Sequence, residues 1–405
     1  MAGTGFTSNL LRPTTGEESH RVTFVELFFD LVFVFAVTQL SHSILAEPTL
    51  AGFGEVLILA GAVWWAWVDT TWITNWLNPE RGAVRGMLIV LMLCGLLMSS
   101  AIPEAFADKG WLFAIAFVAM QLTRTTFALF SFIEQRRREN ALNVARILGW
   151  YVFSGALWIW GGFASHDARV WIWLVALAVE FSGPISRFWL PVIGRSPVET
   201  WQVSGEHMAE RVGLFFIIAL GESIIVTGSV FAAQPVSGEG IAALLAAFTG
   251  TVLLWLLYFA HGERSGSTFI SRASTTGTVA RTTYTYIPIL MVLGIVLSAV
   301  GDDLVLAHPL GHHGATDAGS AAVICGGAAV YLFGTALFKK SIGGPWLVTH
   351  LAGVLALVAL FLAHDALNPL ALTWSVNGVL LVVVAIDEWR FRRMADAEDE
   401  SVELG

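Results

Sequence analysis

Stretches of about twenty mostly apolar residues, enough to cross a bilayer as a helix, follow one another along nearly the whole 405-residue chain. Hydrophobic residues make up 56% of the sequence and charged residues only 13%, whereas a soluble domain carries about 25% charged residues. Because so few charges cannot cover the surface of a water-soluble fold, the natural solvent of this chain is lipid. The sequence therefore predicts an all-α, polytopic membrane protein with no sizeable soluble domain.

Twelve transmembrane helices are predicted from the apolar stretches. The ninth begins with a polar segment that contains Pro288, which predicts a break in its backbone. Residues 1–20 lack an apolar core and are interpreted as a cytoplasmic N-terminal tail, and residues 391–405 as an acidic, solvated cytoplasmic C-terminal tail. The predicted spans are 22–43, 51–75, 83–102, 110–133, 141–163, 168–190, 207–233, 239–261, 279–300, 318–338, 345–364 and 370–388.

The Lys and Arg residues of the loops are distributed very unevenly between the two sides of the predicted bundle. Twelve spans place both tails and the even-numbered loops on one side, and nearly all of the basic residues fall there. The opposite side holds only Lys109 and Arg169, while Arg124 lies within the fourth span. Since cytoplasmic loops carry the excess of Lys and Arg, we expect multi-pass insertion in a bacterial cytoplasmic (inner) membrane with both termini in the cytoplasm.

The first and seventh predicted spans resemble one another. Each opens with a glutamate near its cytoplasmic end, Glu26 or Glu210, continues with an aromatic-aliphatic run and then returns to polar residues. Each also begins a block of six spans, and an even number of spans gives both blocks the same orientation. The pattern indicates a parallel six-plus-six repeat, with residues 21–200 as the first six-helix half and residues 201–390 as the second.

Ionisable residues inside the apolar spans are the main candidates for a transport pathway or an ion or proton site, because each costs about 2.5–3.5 kcal/mol to insert. Glu26 and Asp30 are four residues apart, so they share one face of the first span. Asp69 in the second span and Arg124 in the fourth lie at nearly the same depth as Asp30 at about 1.5 Å per residue. Arg124 is therefore the expected partner of Asp30 or Asp69, and it is the one base predicted deep in the apolar slab.

Further candidates lie in the sixth and seventh spans. Glu180 is in the middle of the sixth, and Glu222 and Ser223 lie past the middle of the seventh, whose cytoplasmic end carries Glu210 and Arg211. The buried acids outnumber the buried bases, which is typical of proton relays and cation sites. The alternative is that these acids hold helices together through hydrogen bonds. The sequence alone leaves both interpretations open.

Several other classes of site are not indicated. The sequence has no GxSxG, HExxH or P-loop pattern, so neither a cofactor, a metal nor an enzyme is expected. Cys94 and Cys325 lie in apolar spans and are interpreted as buried small residues. The predicted outer loop after the ninth span carries Asp302 and three histidines, but without the ordered spacing of metal ligands. Basic residues are too few and scattered for nucleic acid, whereas assembly into a homo-oligomer stays open.

Two segments carry a resemblance to a known family, Arg21-VTFVELFFDLVFVFAVTQLSH and His207-MAERVGLFFIIALGESI. Their Glu-Leu-Phe-Phe-Asp-Leu-Val-Phe and Glu-Arg…Leu-Gly-Glu-Ser motifs resemble the bacterial low temperature requirement A (LtrA) family, and the agreement in span count and spacing extends over essentially the whole chain. The resemblance implies a multi-span inner-membrane protein named for a growth phenotype in the cold. It supplies no substrate, because the molecular activity of that family is poorly defined.

A second pattern bears on mechanism. The stretch from Arg21 to Asp30 is similar to the Arg-x-x-x-Phe-Ser-Asp opening of lysosomal and bacterial potassium/proton channels with six-helix repeats, although Phe29 replaces the serine and the Arg-to-Asp spacing is longer. Together with the intramembrane acids, this pattern favours a transporter or channel for a small solute or cation with proton-linked carboxylates. The alternatives are a membrane-embedded enzyme acting on lipid or isoprenoid, and a structural or sensory membrane component.

Overall fold

A computed structural model describes residues 9–12, 21–197, 204–260, 281–311, 314–343 and 347–403. Within these ranges the regular structure consists of twelve α-helices, two short 3-10 helices and one π-helical turn, with two isolated β-bridges and no strand. The helices are α1 (Phe24–Ala46), α2 (Leu50–Trp76), α3 (Gly82–Ala101), α4 (Gly110–Glu134), α5 (Arg138–Gly162), α6 (His166–Ile185), α7 (Gly205–Ala232), α8 (Gly238–Phe259), α9 (Pro288–Ala307), α10 (Ala318–Ser341), α11 (Val348–Leu362) and α12 (Pro369–Glu403). Eleven helical spans are long and apolar enough to cross a membrane, and α11, with 15 residues, is shorter. The predicted all-α, polytopic membrane fold is thereby confirmed.

The surface of α1 shows why lipid is the solvent of this fold. Phe24, Phe28 and Leu31 recur every three or four residues along one face and are exposed, whereas Glu26 and Asp30 on the opposite face are fully buried. A water-soluble helix would place these two faces the other way round. Apolar side chains outside and charged side chains inside are the arrangement expected of a helix surrounded by lipid.

The predicted backbone break at Pro288 is confirmed. Arg281–Tyr286 form a π-helical turn, and α9 begins only at Pro288, whose missing N–H suits the first position of a helix. α9 then continues past the predicted end of the ninth span at residue 300. Asp302 therefore lies inside a helix and not in the loop predicted for it, because the buried apolar face continues beyond it at Val305.

The structure describes part of each terminal segment. Of the N-terminal tail, residues 9–12 are described and pack against the end of α2, where Leu10 is buried and the Arg12 backbone N–H donates to the Trp76 carbonyl at 2.9 Å. At the other end of the chain, α12 continues as a helix to Glu403, beyond the predicted end of the twelfth span at residue 388. The Ala, Glu and Arg residues of this extension are good helix formers, which agrees with it.

The chain divides into two compact units. The first comprises Met1–Leu214 with Ile270–Thr285, and the second comprises Phe215–Phe269 with Tyr286–Gly405. In the first unit α1 packs against α2 and α3, and α3, α4, α5 and α6 pack successively against one another. α2 also contacts α4 and α6 and is the most enclosed helix of this unit, burying Trp64, Trp65 and Trp67. The predicted six-plus-six repeat stays a prediction.

The second unit is built around the pair formed by α9 and α10. α10 also packs on α11, and α12 packs on α8, α10 and α11. Gly294 of α9 and Gly327 of α10 lie where the two backbones meet: a Cβ at Gly294 would be 2.8 Å from the backbone N of Tyr331, and a Cβ at Gly327 would be 2.7 Å from the backbone N of Ser298. The absence of side chains at these two positions therefore permits the close crossing.

Candidate functional site

Glu26, at the start of α1, is fully buried and ties three parts of the first unit together. Its Oε2 accepts hydrogen bonds from the backbone N–H and the hydroxyl of Thr23, each at 2.9 Å, as the glutamate of a Thr-x-x-Glu capping motif does. The carboxylate also accepts from Arg12 Nη2 at 3.2 Å and from His207 Nε2 at 3.0 Å. Burial lowers the pKa of the Arg12 guanidinium below its ordinary value, and the negative charge of Glu26 opposes this shift. Glu26 thus anchors both the N-terminal segment and the start of α7 to α1.

The ring of His207 is held in one tautomer by Asn75. The Asn75 amide donates to the Ser204 carbonyl oxygen at 3.0 Å and accepts from the Ser204 N–H at 2.8 Å, which fixes its orientation. Its Nδ2 therefore also donates to His207 Nδ1, at 3.2 Å, and the ring proton lies on Nε2, facing Glu26. His207 is a neutral donor in this arrangement, so the charge of Glu26 is balanced by Arg12.

Asp30 and Arg211 form a fully buried, bidentate ion pair. Arg211 Nη1 and Nη2 donate to Oδ2 and Oδ1 of Asp30 at 2.8 Å each. Trp67 Nε1 donates to Oδ1 at 2.7 Å, and the guanidinium carbon of Arg211 lies 5.5 Å from the centroid of the Trp67 ring. The pair is therefore enclosed by α1, α2 and the first turns of α7.

This pair corrects one prediction, that Arg124 is the one base deep in the apolar slab. α1 begins at residue 24 and α7 at residue 205, so Asp30 (30 − 24) and Arg211 (211 − 205) each lie six residues inside their helices. At 1.5 Å per residue both are about 9 Å from the helix start. Arg211 therefore reaches Asp30 directly, and its predicted position at the end of the seventh span was too shallow.

Arg124 of α4 pairs with Asp69 of α2, one of the two partners predicted for it. Its Nη2 lies 3.1 Å from Asp69 Oδ2. Its Nη1 donates to the carbonyl oxygen of Ala66 and to the hydroxyl of Thr70, at 3.0 Å each. Tyr151 of α5 donates its hydroxyl proton to the same Asp69 oxygen. Because Ala66 and Thr70 are one helical turn apart, Arg124 fastens α4 to a full turn of α2.

Gln121 connects Arg124 to a second buried acid, Glu180 of α6. Gln121 precedes Arg124 by one helical turn, accepts from its Nη2 through Oε1, and donates from Nε2 to Glu180 Oε2 at 3.1 Å. The other oxygen of Glu180 accepts from Ser154 Oγ at 2.8 Å and from Trp158 Nε1 at 3.1 Å. Glu180 is thus held by three neutral donors from α4 and α5.

Asp69, Arg124, Gln121 and Glu180 form one continuous set of hydrogen bonds, which we call the Asp69–Glu180 network. Its single arginine balances one carboxylate, so the network is neutral when one of its two carboxyl groups carries a proton. With both carboxyl groups ionised it carries one net negative charge, which is costly in a buried environment unless a cation is present. The network can therefore take up or release one positive charge.

A cavity of about 30 Å³ adjoins this network within the first unit. Asp69 and Tyr151 line one part of it, and the lining continues to Trp76 at the end of α2, to Val144 near the start of α5, and to Arg281. This volume is about that of one water molecule. Asp69 therefore faces a space large enough for a water molecule.

The remaining candidates do not belong to this network. Glu210 is half-buried and accepts from the Val22 backbone N–H at 3.3 Å. Glu222 is half-buried and Ser223 is buried, and both lie in the part of α7 that belongs to the second unit. The side chain of Ser223 lies close to that of Asp302. The nine predicted residues thus form three groups. Glu26, Asp30, Glu210 and Arg211 lie in the first turns of α1 and α7, and Asp69, Arg124 and Glu180 belong to the Asp69–Glu180 network. Glu222 and Ser223 lie in the second unit.

Several functional contacts were missed from the sequence. Gln121, Tyr151, Ser154 and Trp158 all contribute to the Asp69–Glu180 network, and His207 contacts Glu26. A signal was present for three of them: residues 151, 154 and 158 follow a spacing of three and four, which places them on one face of a helix. Their hydroxyl and indole groups are donors, and a stripe of donors on a membrane helix indicates a buried acceptor opposite.

The loop after α9 carries the three histidines noted in the sequence. His308 follows the last residue of α9, while His312 and His313 lie outside the described residues. Among the residues that the structure describes, no group of three or more His, Cys, Asp and Glu side chains is arranged to hold a metal ion.

Comparison with known proteins adds a relationship that covers most of the chain. A family model described as bacterial low temperature requirement A protein matches residues 21–385. An uncharacterized protein of Rhizobium meliloti (strain 1021) is 39% identical over 374 residues, which is 91% of this chain and 89% of the relative. No solved structure matches.

Proposed function

The chain belongs to the bacterial low temperature requirement A family of multi-pass membrane proteins, and we propose that it acts as a transporter or channel for a small solute or cation with a proton-linked step at the Asp69–Glu180 network. The observation that carries the proposal is the charge balance of this network. Asp69 pairs with Arg124 directly beside a water-sized cavity, and Glu180 is linked to the same arginine through Gln121. Such a group can exchange a proton or a small cation with water without breaking its helix contacts.

The position of the cavity supports the same proposal. It reaches from Asp69 to the end of α2 and the start of α5, and the sequence predicts that these ends face the cytoplasm because the flanking loops carry the Lys and Arg residues. We propose accordingly that the protein lies in the cytoplasmic membrane with both termini in the cytoplasm. Protons then reach Asp69 from the cytoplasmic side.

Proteoliposomes that enclose a pH-sensitive dye test this function. Under an imposed pH gradient, and with either sodium or potassium in the buffer, the wild-type protein is expected to carry protons faster than protein-free vesicles. Asp69→Asn removes the carboxyl group that faces the cavity, so its flux is expected to fall to the level of protein-free vesicles. Asp30→Asn and Glu222→Gln, measured alongside, show whether the other predicted acids contribute.

Glu55→Gln is the matched control for this experiment. Glu55 also lies on α2, but its carboxylate pairs with His166 at 2.8 Å and takes no part in the Asp69–Glu180 network. Its flux is expected to equal that of the wild type. Equal flux in the wild type, Asp69→Asn and Glu55→Gln would remove the network from the transport mechanism.

A structural role is the second candidate, and one observation favours it. Each carboxyl group of the network is held by hydrogen-bond donors from neighbouring helices, so that α2, α4, α5 and α6 are cross-linked. If this cross-linking is the whole function, Asp69→Asn lowers the midpoint temperature of unfolding (Tm) and leaves proton flux in the surviving folded protein unchanged. Measuring both quantities on the same preparation separates the two candidates.

A further inference from the structure

The second unit contains a polar cavity of its own, distinct from the Asp69–Glu180 network. It has a volume of about 30 Å³ and lies between α8, α9, α10 and α12. Its polar lining comes from Thr251, Ser298, Asp302, Thr373 and Asn377. Asp302 and Ser298 are four residues apart on α9, as are Thr373 and Asn377 on α12, so each pair presents one face to the cavity.

The hydrogen-bond donors around this cavity are largely engaged elsewhere. The hydroxyl of Thr251 donates to the Ala247 carbonyl at 3.1 Å, and that of Thr373 donates to the Pro369 carbonyl at 2.9 Å. Asn377 Nδ2 donates to the Ala246 carbonyl at 2.8 Å. Because these groups give their protons to the backbone, what they retain for a ligand is oxygen lone pairs.

The Asn377 amide shows this division most directly. While its nitrogen is bonded to α8, its Oδ1 approaches Gly250, where it would lie 3.1 Å from an added Cβ. Gly250 and the next residue, Thr251, both line the cavity. The acceptor oxygen of the Asn377 amide therefore lies at this part of the cavity wall.

Asp302 gives the cavity its charge. Its side chain is buried, and it lies close to the side chain of Ser223 of α7. The described residues that line the cavity include neither Lys nor Arg. Lys339, a mostly buried basic side chain of the same unit, is paired with Asp387 at 2.8 Å. A buried carboxylate with no balancing charge in its cavity is costly, and a bound cation would remove that cost.

We propose that this cavity binds one monovalent alkali cation, with Asp302 and the hydroxyl and amide oxygens of Thr251, Ser298, Thr373 and Asn377 as candidate ligands. Carboxylate, hydroxyl and amide oxygens are the ligands that hard cations prefer. A single carboxylate matches a single positive charge, whereas a divalent cation would leave one charge unbalanced in the membrane interior. The volume admits one ion of roughly the size of a water molecule.

Cation-dependent stability of the purified full-length protein tests the proposal. Tm is measured in detergent while sodium chloride or potassium chloride replaces N-methyl-D-glucamine chloride at constant ionic strength. Because a ligand that binds only the folded state stabilises it, Tm is expected to rise and saturate with sodium, potassium or both. Asp302→Asn is expected to abolish the saturable rise.

Two further variants keep the test decisive. Asp303→Asn, at the neighbouring position, retains Asp302 and is expected to show the wild-type rise. Thr251→Val keeps the shape of the side chain and the charge of the site but removes one ligand oxygen, so the cation concentration at half-saturation is expected to increase about tenfold. If Asp302→Asn does not fold, the change in half-saturation concentration of Thr251→Val tests the proposal.

Two results would overturn the proposal. They are no saturable rise when either alkali cation replaces N-methyl-D-glucamine, and a half-saturation concentration that is unchanged in Asp302→Asn or Thr251→Val. The measurement reports binding and not flux, so its outcome is independent of the proposed transport step. A protein that binds the cation but carries no protons would contradict only the earlier proposal.

Discussion

The Asp30–Arg211 pair illustrates how a charged side chain is tolerated inside a membrane protein. Both side chains are fully buried, and the bidentate geometry with Trp67 as a further donor gives both oxygens of the carboxylate a hydrogen bond. In such a pair the attraction mainly offsets the cost of removing two charges from water. Its contribution is therefore seen most clearly when one partner is removed and the other is left behind.

Removing one member of the pair is expected to cost more than removing both. Asp30→Asn leaves Arg211 buried without a counter-charge and is expected to lower the free energy of unfolding by about 3–5 kcal/mol. In Asp30→Asn/Arg211→Gln two neutral amides face each other, so the loss should be smaller than for Asp30→Asn alone. Denaturation in detergent micelles, followed by tryptophan fluorescence, measures these differences as a double-mutant cycle.

An exposed ion pair in the same unit provides the comparison. Lys109 and Glu104 are 2.8 Å apart with 43% and 47% of their side chains exposed. Substituting either with glutamine is expected to change the free energy of unfolding by less than about 1 kcal/mol. If the two single substitutions of the buried pair proved additive in the double variant, the pair would not act as a unit.

The sequence predicts the depth of a residue in the membrane, and this depth decided how much of the candidate site could be predicted. Counting residues from the ends of spans placed Arg124 at the depth of both Asp30 and Asp69, and Arg124 pairs with Asp69. The same counting misplaced Arg211, because the predicted first span starts two residues before α1 and the predicted seventh span starts two residues after α7 begins. Arg211 therefore seemed too shallow to reach Asp30. Depth also says nothing about rotation around a helix axis, so the link from Gln121 to Glu180 could not be deduced.

At the scale of elements, the crossing of α9 and α10 depends on glycine. Gly327 meets the backbone of α9, since an added Cβ would lie 2.7 Å from Ser298 N, whereas its neighbour Gly326 has no atom within 4 Å of an added Cβ. The two residues are adjacent on one helix but face different surroundings. They therefore allow the effect of packing to be separated from the effect of helix propensity.

Alanine substitutions at these two positions are expected to have different effects on the free energy of unfolding. Gly327→Ala should force the helices apart and lower the free energy of unfolding by about 1–3 kcal/mol. Gly326→Ala should be neutral or stabilising by up to about 1 kcal/mol, because alanine favours the helix. Tm in detergent measures both, and equal effects of the two substitutions would show that the crossing is not set by glycine.

The helices themselves were largely predictable, and their ends were less so. Long apolar runs give a strong signal, and Pro288 marks the break before α9 as its chemistry requires. The end of α9 was missed because Asp302 and Asp303 resemble the polar boundary of a span. The structure instead buries Asp302 against Ser223, and this contact with another helix is not encoded in local hydropathy.

For the whole molecule, the uneven distribution of basic residues predicts which side of the membrane each loop occupies. Lys109 precedes α4 and is half-exposed, and Arg138 begins α5 at the other end of the same helical pair. These two positions are joined by a single span, so they must lie on opposite sides of the bilayer if α4 crosses it. The positive-inside rule assigns Arg138 to the cytoplasm.

Cysteine labelling in intact cells tests this orientation. In a background with Cys94→Ala and Cys325→Ala, which removes both native thiols, Lys109→Cys is expected to react with a membrane-impermeant maleimide added outside. Arg138→Cys is expected to react only after the cells are opened. The reverse pattern would invert the topology, and labelling of both positions from outside would show that α4 does not span the membrane.

The separation of Asp30 from Arg211 along the chain also has a consequence for biosynthesis. The two residues are 181 positions apart, so at about 5–20 residues per second the ribosome makes the arginine about 10–40 s after the aspartate. Throughout that interval α1 holds an acid whose counter-charge does not yet exist, and an unpaired carboxylate is unfavourable in lipid. The first helix therefore reaches its final packing only after the seventh has been made. The order of translation in this way sets the order in which these helices of the first unit pack together.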